Sequence, residues 1–131
     1  MIRGSCLCGS VRYEIRGPLG PSSHCHCTMC RKTHGHVAAY SAVPKANLEL
    51  TDSTGLRWYQ SSAKARRGFC GTCGSSLFWD PTEKDYVAVA AGTLDGPTGL
   101  KTILQIHTDD AGDYYTIRPD VPQRAGGSAG G

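Results

Sequence analysis

The seven cysteines of this chain lie in three tight clusters, and no other feature limits its possible folds as strongly. The clusters have the forms Cys-x-Cys, Cys-x-Cys-x-x-Cys and Cys-x-x-Cys; their members are Cys6 and Cys8, then Cys25, Cys27 and Cys30, then Cys70 and Cys73. Short clusters from distant parts of a chain commonly supply the thiolate ligands of a tetrahedral zinc ion. The pattern therefore predicts a metal-binding domain, and zinc is the metal it favours.

The number of cysteines is informative as well. A closed structural zinc takes four thiolates, whereas a zinc with three protein ligands keeps a position for water or substrate. Seven cysteines therefore divide into one site of each kind, and we expect two zinc ions. Spacing does not decide which clusters share an ion, because Cys27 and Cys30 with Cys70 and Cys73 would also supply four thiolates.

Two other uses of cysteine fit this sequence less well. Disulfides form in oxidising compartments, but residues 1–5 lack the apolar core of a signal peptide, and a one-residue gap closes a poor disulfide. A thioredoxin-like pair at Cys70 and Cys73 would be followed by a helix, whereas residues 74–79 have the pattern of a turn and a strand. Thiols that bind metal must stay reduced, so we expect a cytoplasmic protein.

The composition indicates an ordinary globular domain. The 131 residues are 39% hydrophobic and 19% charged, and no apolar run approaches the length of a membrane span. The 14 basic and 11 acidic residues are too evenly balanced for a nucleic-acid-binding surface. We expect one domain over residues 1–123, with neither membrane nor nucleic acid as a partner, and a flexible Gly/Ala/Ser tail over residues 124–131. The oligomeric state is left open.

Alternating apolar and polar residues predict short β-strands through most of the chain. Each candidate is bounded by glycine, proline or aspartate, and the candidates are residues 11–15, 36–43, 56–60, 76–79, 86–90 and 102–107. Residues 28–34 could form one or two helical turns, and no longer helix is indicated. The prediction is a mainly β fold, a single zinc-stapled domain of short antiparallel strands.

Glycine directly follows the last cysteine of two clusters, at Gly9 and Gly74. Glycine adopts positive φ without a steric penalty, and a turn of that kind directs backbone amides toward sulfur. We therefore expect a metal knuckle at each of these positions.

The histidines near the middle cluster have several possible roles. His24 and His26 flank Cys25 on opposite faces of an extended segment, so both cannot readily bind the same ion. We expect them to support a pocket, and whether one of them completes the second metal site is left open. His34 and His36 either line the open site or lie in a solvated loop.

Positive and aromatic side chains also lie near the clusters. The basic pairs are Arg31-Lys32 and Arg66-Arg67. They either bind an acidic small molecule such as glutathione, or they compensate the charge of the zinc–thiolate sites or form an ordinary charged surface. The aromatic pairs are expected in the sheet and core first and in a pocket wall second; they are Trp58-Tyr59 and Phe78-Trp79.

The clusters and their flanking residues resemble a known family. The motifs, in order, are Cys6-Leu7-Cys8-Gly9, then His24-Cys25-His26-Cys27-Thr28-Met29-Cys30-Arg31-Lys32, then Arg67-Gly68-Phe69-Cys70-Gly71-Thr72-Cys73-Gly74-Ser75. The similarity continues through Gly92-Thr93-Leu94-Asp95 to Gly112-Asp113-Tyr114-Tyr115. These motifs are similar to those of the glutathione-dependent formaldehyde-activating family, which includes centromere-protein-V-like proteins.

The resemblance implies an Mss4-like, mostly β fold with two zinc sites. It implies that the first and last clusters form the structural site, which would consist of Cys6, Cys8, Cys70 and Cys73. It implies that the middle cluster holds the open, catalytic zinc, with Cys25, Cys27 and Cys30 as ligands. The implied reaction is of the carbon–sulfur lyase type: formaldehyde joins the thiol of glutathione to give S-hydroxymethylglutathione, or the reverse.

The chemistry of three thiolates supports a thiol substrate independently of the resemblance. Three thiolates already exceed the charge of the ion, so such a zinc is a soft Lewis acid that favours binding a thiol over polarising a carbonyl. The mechanistic hypothesis is thiol capture at this zinc, followed by attack on a small carbonyl. The alternative function is a non-catalytic, zinc-stapled protein-interaction module, and a closed coordination sphere at the middle cluster would favour it.

Overall fold

The structure, a computed structural model described over residues 1–127, confirms the mainly β fold class. Within these residues the strands are β1 Ile2–Ser5, β2 Arg12–Ile15, β3 Ser22–Cys25, β4 Ala38–Pro44, β5 Leu48–Asp52, β6 Leu56–Gln60, β7 Ala65–Cys70, β8 Ser76–Pro81, β9 Tyr86–Ala90 and β10 Thr102–Ile106. The helix α1 is Thr28–His34, and the 3-10 helices are Lys45–Asn47, Ala91–Thr93 and Thr108–Asp110.

The strands form two sheets. The small sheet has the order β1-β2-β5, and the large sheet has the order β10-β3-β4-β9-β8-β7-β6. Their pairs are antiparallel, as predicted, except for β3 and β10, which run parallel. A parallel pair requires a long crossover between its strands, and here almost the whole large sheet lies between them in the chain. The expectation of antiparallel pairing was therefore wrong for this one pair.

Each strand candidate from the sequence corresponds to a strand, and the bounds of β6 and β9 agree with the prediction. The strands that the pattern did not indicate are β1, β3, β5 and β7. Two of these contribute cysteines to the clusters, because Cys25 ends β3 and Cys70 ends β7.

The helix α1 is short because its start and its end are both specified locally. The Cys27 Sγ atom accepts a hydrogen bond from the Cys30 amide at 3.3 Å, which caps the first turn. Gly35 ends the helix with a φ of 83°, a left-handed conformation that glycine adopts readily. The predicted one or two helical turns over residues 28–34 are confirmed.

The hydrophobic core lies between the two sheets. Its fully buried side chains include Val11, Tyr13, Ile15, Leu77 and Val89. The Tyr13 ring meets the Phe78 ring edge to face, with centroids 5.2 Å apart. Gly4 allows β1 to approach this ring, because a Cβ atom there would lie 2.0 Å from Tyr13.

Side chains of the large sheet that point away from this core form a second row. The strand register places Ala42, Ala88, Trp79, Arg67 and Tyr59 next to one another across β4, β9, β8, β7 and β6. Alternate residues of a strand share a face, so Tyr40 lies on the same side as Ala42. This row forms a wall of the cavity described below.

The chain after β10 continues along that strand. Gln123 pairs with Gln105, and the Arg124 amide donates to the Gln105 carbonyl at 2.8 Å. The His107 amide donates to the Gly126 carbonyl at 2.7 Å. The predicted tail thus begins with ordered backbone contacts, while residues 128–131 lie outside the described part, and its flexibility stays a prediction. No helix within residues 1–127 is long and apolar enough to span a membrane.

The position of Leu77 gives a test of this core. Leu77 is fully buried, whereas Leu50 in β5 is 39% exposed. We expect Leu77→Ala to lower the free energy of unfolding by about 3 kcal/mol, because it removes buried apolar contacts and leaves a cavity. The matched Leu50→Ala change should cost less than about 1 kcal/mol. Denaturant unfolding at a fixed zinc concentration measures both values, and equal costs would contradict the assigned core.

Candidate functional site

The first and last cysteine clusters meet in one group. The Sγ atoms of Cys6, Cys8, Cys70 and Cys73 all lie within 4.8 Å of one another. Cys6 follows β1 and Cys70 ends β7, so the group joins the small sheet to the large one. Four thiols at such separations fit a tetrahedral zinc ion, for which the usual Zn–S distance is about 2.3 Å.

The backbone around this group has the knuckle geometry expected from the sequence. Gly9 has a φ of 84° and Gly74 a φ of 82°. The amides of Thr72 and Cys73 both point at the Cys70 sulfur at 3.4 Å. Amides directed at sulfur stabilise its thiolate form.

Two serine hydroxyls add to this effect. The Ser10 hydroxyl lies 3.2 Å from the Cys70 sulfur, and the Ser75 hydroxyl lies 3.2 Å from the Cys73 sulfur. These hydrogen bonds, followed by those from backbone amides, lower the pKa of Cys70 to about 7 and that of Cys73 to about 5. Cys70 and Cys73 therefore lose their protons more readily than an ordinary cysteine and more readily reach the thiolate form that binds metal.

The middle cluster forms a second, separate group. The Sγ atoms of Cys25, Cys27 and Cys30 lie within 4.8 Å of one another, and no histidine, aspartate or glutamate of residues 1–127 joins them. Cys25 and Cys30 are buried, while Cys27 is half-buried. The structure therefore places the middle cluster and the last cluster in different groups, and the set of Cys27, Cys30, Cys70 and Cys73 is not formed.

Hydrogen bonds between these three thiols favour one thiolate. The thiols of Cys25 and then Cys30 lower the pKa of Cys27 far below its usual range. The same contacts raise the pKa of Cys25, since its proton is held between sulfurs. These contacts thus lower the pKa of Cys27, the half-buried member of the group, and raise that of the buried Cys25.

His24 and His26 point to other partners. The Nε2 atom of His26 lies 2.6 Å from the Gln105 side-chain oxygen, and its Nδ1 atom contacts the Tyr115 hydroxyl. The Nε2 atom of His24 lies 3.2 Å from the Thr102 hydroxyl. The structure thus gives both histidines supporting contacts beside Cys25 and does not bring either into the sulfur group.

His36 belongs to an aromatic cluster rather than to the metal group. Its Nδ1 atom lies 2.8 Å from the Tyr114 hydroxyl, and its ring meets the Tyr115 ring at a centroid distance of 4.5 Å. Tyr115 also stacks on His26, with centroids 5.5 Å apart. The segment after the last 3-10 helix is thereby fixed against residues at both ends of α1.

A cavity of about 540 Å³ adjoins the three-cysteine group. Cys25, Cys27 and Cys30 all line it, and its other walls include Tyr40, Arg67, Trp79, Tyr86, Ile106, His107 and Asp110. Cavities of this size, with mostly apolar walls and a few polar groups, are typical binding sites for small molecules. A smaller cavity of about 330 Å³ shares only Tyr40 and Arg67 with it.

The sequence did not predict the environments of Arg67 and Tyr40. Arg67 is only 5% exposed, so the solvated-surface alternative is wrong for this residue, whereas its neighbour Arg66 is exposed. Its Nη1 donates to the Tyr40 hydroxyl at 3.1 Å, and its Nη2 donates to the Cys30 sulfur at 3.6 Å. Tyr40, which the sequence did not single out, lies 2.9 Å from the His34 Nε2 atom. One signal was available: strand alternation puts Arg66 and Arg67 on opposite faces.

His34 accepts a hydrogen bond from the Tyr40 hydroxyl, because its imidazole is uncharged. Burial, and next the positive charge of Arg67, lower the pKa of His34 to about 4. A neutral imidazole can accept at Nε2, so Tyr40 donates to His34 while it accepts from Arg67. His34, Tyr40 and Arg67 thus form a hydrogen-bonded chain that ends at the Cys30 sulfur.

The lowered pKa of His34 predicts a contribution to acid sensitivity. An unfolded histidine titrates near pH 6.5 and folded His34 near pH 4, so between these values the unfolded chain binds more protons. The stability present at neutral pH should be lost progressively as the pH falls from about 6.5 toward 4. Unfolding at several pH values should show a flatter profile for His34→Gln than for the wild type. Identical profiles would contradict a buried, neutral His34.

Comparison with known proteins indicates a family for this chain. The family described as "Glutathione-dependent formaldehyde-activating enzyme" matches residues 1–110. A Halomonas elongata protein provisionally named as a glutathione-dependent formaldehyde-activating enzyme is 28% identical over 114 residues, which are 72% of this chain and 66% of that protein. An uncharacterized lyase of Schizosaccharomyces pombe is 29% identical over 114 residues, and the match covers 86% of this chain and 82% of that protein.

A solved structure supports the fold. The crystal structure of a Rhodobacter sphaeroides protein matches with a TM-score of 0.63 at 21% identity, over 92% of this chain and 98% of that one. The family match spans most of the chain and includes both cysteine groups. The chain belongs to the glutathione-dependent formaldehyde-activating enzyme family.

Proposed function

We propose that this protein is a zinc-dependent enzyme of the carbon–sulfur lyase type. Its substrates are a thiol, glutathione or a similar molecule, and formaldehyde or another small aldehyde, with S-hydroxymethylglutathione formed or cleaved. The observation that carries this proposal is that a group of three thiols without a fourth ligand from residues 1–127 faces a cavity of about 540 Å³. Membership of a formaldehyde-activating family supports it.

The two cysteine groups have different proposed roles. Cys6, Cys8, Cys70 and Cys73 provide four thiols for a closed, structural zinc. Cys25, Cys27 and Cys30 provide three thiols for an open, catalytic zinc. Zinc bound there would lower the pKa of a substrate thiol and favour its nucleophilic thiolate. Ligation by free thiols suits a reducing compartment, and we propose the cytoplasm.

The cavity walls suit a charged thiol such as glutathione. Arg67 places a positive charge deep in the cavity, where it favours a negative substrate. Asp110 lies at the wall and is exposed, so its carboxylate is a potential acceptor for a substrate ammonium group. Arg31 and Lys32, in the last turn of α1, are candidate partners for substrate carboxylates. A pure interaction module would gain nothing from such a cavity beside three thiols.

Zinc content gives the first test. Wild-type protein purified under reducing conditions should hold two zinc ions per chain. We expect Cys27→Ala to lose one of them and to stay folded, with only a small fall in melting temperature from the lost cap of α1, because the group between the sheets stays intact. We expect Cys70→Ala to lose the other ion and to melt at least about 5 °C lower, since it removes a metal that joins the sheets.

Metal analysis and thermal unfolding measure these outcomes on the same samples. A single zinc in the wild type, lost only with Cys70→Ala, would contradict the two-site proposal and favour the interaction module.

Turnover gives the second test. Cys27→Ala should lower the rate of S-hydroxymethylglutathione formation, above the uncatalysed background, by about a hundredfold or more, because the three-thiol site is lost. NMR exchange between glutathione and its formaldehyde adduct measures this rate. Ser23→Ala is the matched control, since Ser23 lines the same cavity without belonging to the sulfur group. Equal rates for the wild type and Cys27→Ala would rule out the proposed reaction site.

A further inference from the structure

Arg67 is a buried charge without a carboxylate partner. Its exposure is 5%, and no Asp or Glu of residues 1–127 forms an ion pair with it. The neighbouring Arg66 has the opposite environment: its Nε lies 2.8 Å from the Asp80 carboxylate and its side chain is 44% exposed. A buried guanidinium without a carboxylate is costly, so its position calls for another source of negative charge.

The guanidinium of Arg67 also has an unused donor. Its Nη1 and Nη2 donate to Tyr40 and Cys30, while its Nε is buried and has no partner within the described residues. Guanidinium carries five N–H groups, so further donors remain on both Nη atoms. Arg67 lines the larger cavity, so a guanidinium with donors to spare adjoins the space where an anion could bind.

The orientation of this guanidinium is set before any substrate arrives. Tyr40 accepts from Nη1 and is itself held by His34, as described above. Trp79 and Tyr59 lie next to Arg67 on the neighbouring strands. Donors that are fixed in place stabilise a developing charge better than water does, because they need not reorganise.

The distance between the Arg67 guanidinium and the sulfur group indicates which oxygen atom of the substrates the guanidinium would contact. Nη2 lies 3.6 Å from the Cys30 sulfur, so the guanidinium contacts the group where the substrate thiol is proposed to react. In a hydroxymethyl thioether the oxygen is only two bonds from the sulfur. The carboxylates of glutathione are many bonds from its thiol, so they fit less well at a donor in contact with the sulfur group.

We infer that Arg67 is an oxyanion-binding residue, which donates hydrogen bonds to the aldehyde oxygen in the larger cavity. This inference rests on the proposed function. The substrate thiol first loses its proton to water. Its sulfur then forms the C–S bond, and the electron pair of the C=O π bond moves to the oxygen. Arg67 keeps its protons and stabilises that negative charge until the oxygen takes a proton from water. The reverse reaction follows the same steps backwards.

A simpler role for Arg67 predicts different results. If the guanidinium only balances the charge of the cysteine thiolates, its loss would weaken metal binding and would lower activity in proportion to the zinc lost. If it binds the oxyanion, its loss would slow turnover of protein that keeps its zinc.

Kinetics and zinc content together separate these roles. We expect Arg67→Gln to lower kcat by about a hundredfold while two zinc ions per chain are retained, the loss typical of a missing oxyanion donor. Arg67→Lys, which keeps the charge without the planar fork, should recover part of this loss. Arg66→Gln is the matched control and should match the wild type. Unchanged kcat, or a loss of activity that follows a loss of zinc, would overturn the inference.

Formate binding provides a readout without turnover. Formate is a planar one-carbon anion, and Trp79 lines the cavity. The chain has two tryptophans, so Trp58→Phe leaves Trp79 as the only one. In this background we expect saturable quenching by formate, weakened at least about tenfold by Arg67→Gln and unchanged by Arg66→Gln.

The outcomes distinguish the two proposals. Formate binding that depends on Arg67, in a wild type without glutathione and formaldehyde turnover, would reject the proposed function and support the oxyanion site. Absence of saturable binding would overturn the oxyanion site whatever the turnover.

Discussion

The group of four thiols between the sheets is the constraint on which the rest of the structure depends. Cys6 and Cys8 follow the first strand of the small sheet, whereas Cys70 ends β7 of the large sheet and Cys73 lies in the turn between β7 and β8. The core between the sheets is modest, as expected for a chain of this length. A metal held here would fix the two sheets at one edge, and the position of Arg67, three residues before Cys70 on β7, follows from that attachment.

The middle cysteine group differs from the four-thiol group in how its sulfurs are brought together. Its ligand atoms come from the end of β3 and the start of α1, so one short segment supplies all three. The cavity beside it requires small residues, and Ala42 and Ala88 provide them on the large sheet. Arg67 reaches this group from β7 and donates a hydrogen bond to the Cys30 sulfur, which links the group to the opposite part of the large sheet. The two groups therefore share a residue type but differ in how the fold assembles them.

Much of this arrangement follows from sequence patterns, because it depends on local chemistry. The cysteine spacing, the glycines after Cys8 and Cys73, and the short helix after Cys27 are all encoded within a few residues. The pattern did not indicate β3, because its sequence, Ser-Ser-His-Cys, does not alternate between apolar and polar residues. The burial of Arg67 and the contacts of Tyr40 depend on how β4 and β7, which are far apart in the sequence, are placed in the sheet. The identity of either residue does not indicate this placement. The parallel pairing of β3 and β10 is likewise a property of the completed sheet.

The sulfur of Cys27 has two positions to satisfy, since it caps α1 through the Cys30 amide and also belongs to the group of three thiols. A negative charge at the start of a helix is stabilising, so the thiolate form of Cys27 and the helical form of residues 28–34 favour each other. Such a coupling is reciprocal. Any ligand that keeps Cys27 deprotonated also stabilises the helix, whose residues Thr28 and Met29 line the cavity. When the first turn of the helix unfolds, the Cys27 sulfur loses its hydrogen bond from the Cys30 amide. The stability of the first turn of α1 and the affinity of the three-thiol group for a ligand are therefore thermodynamically coupled.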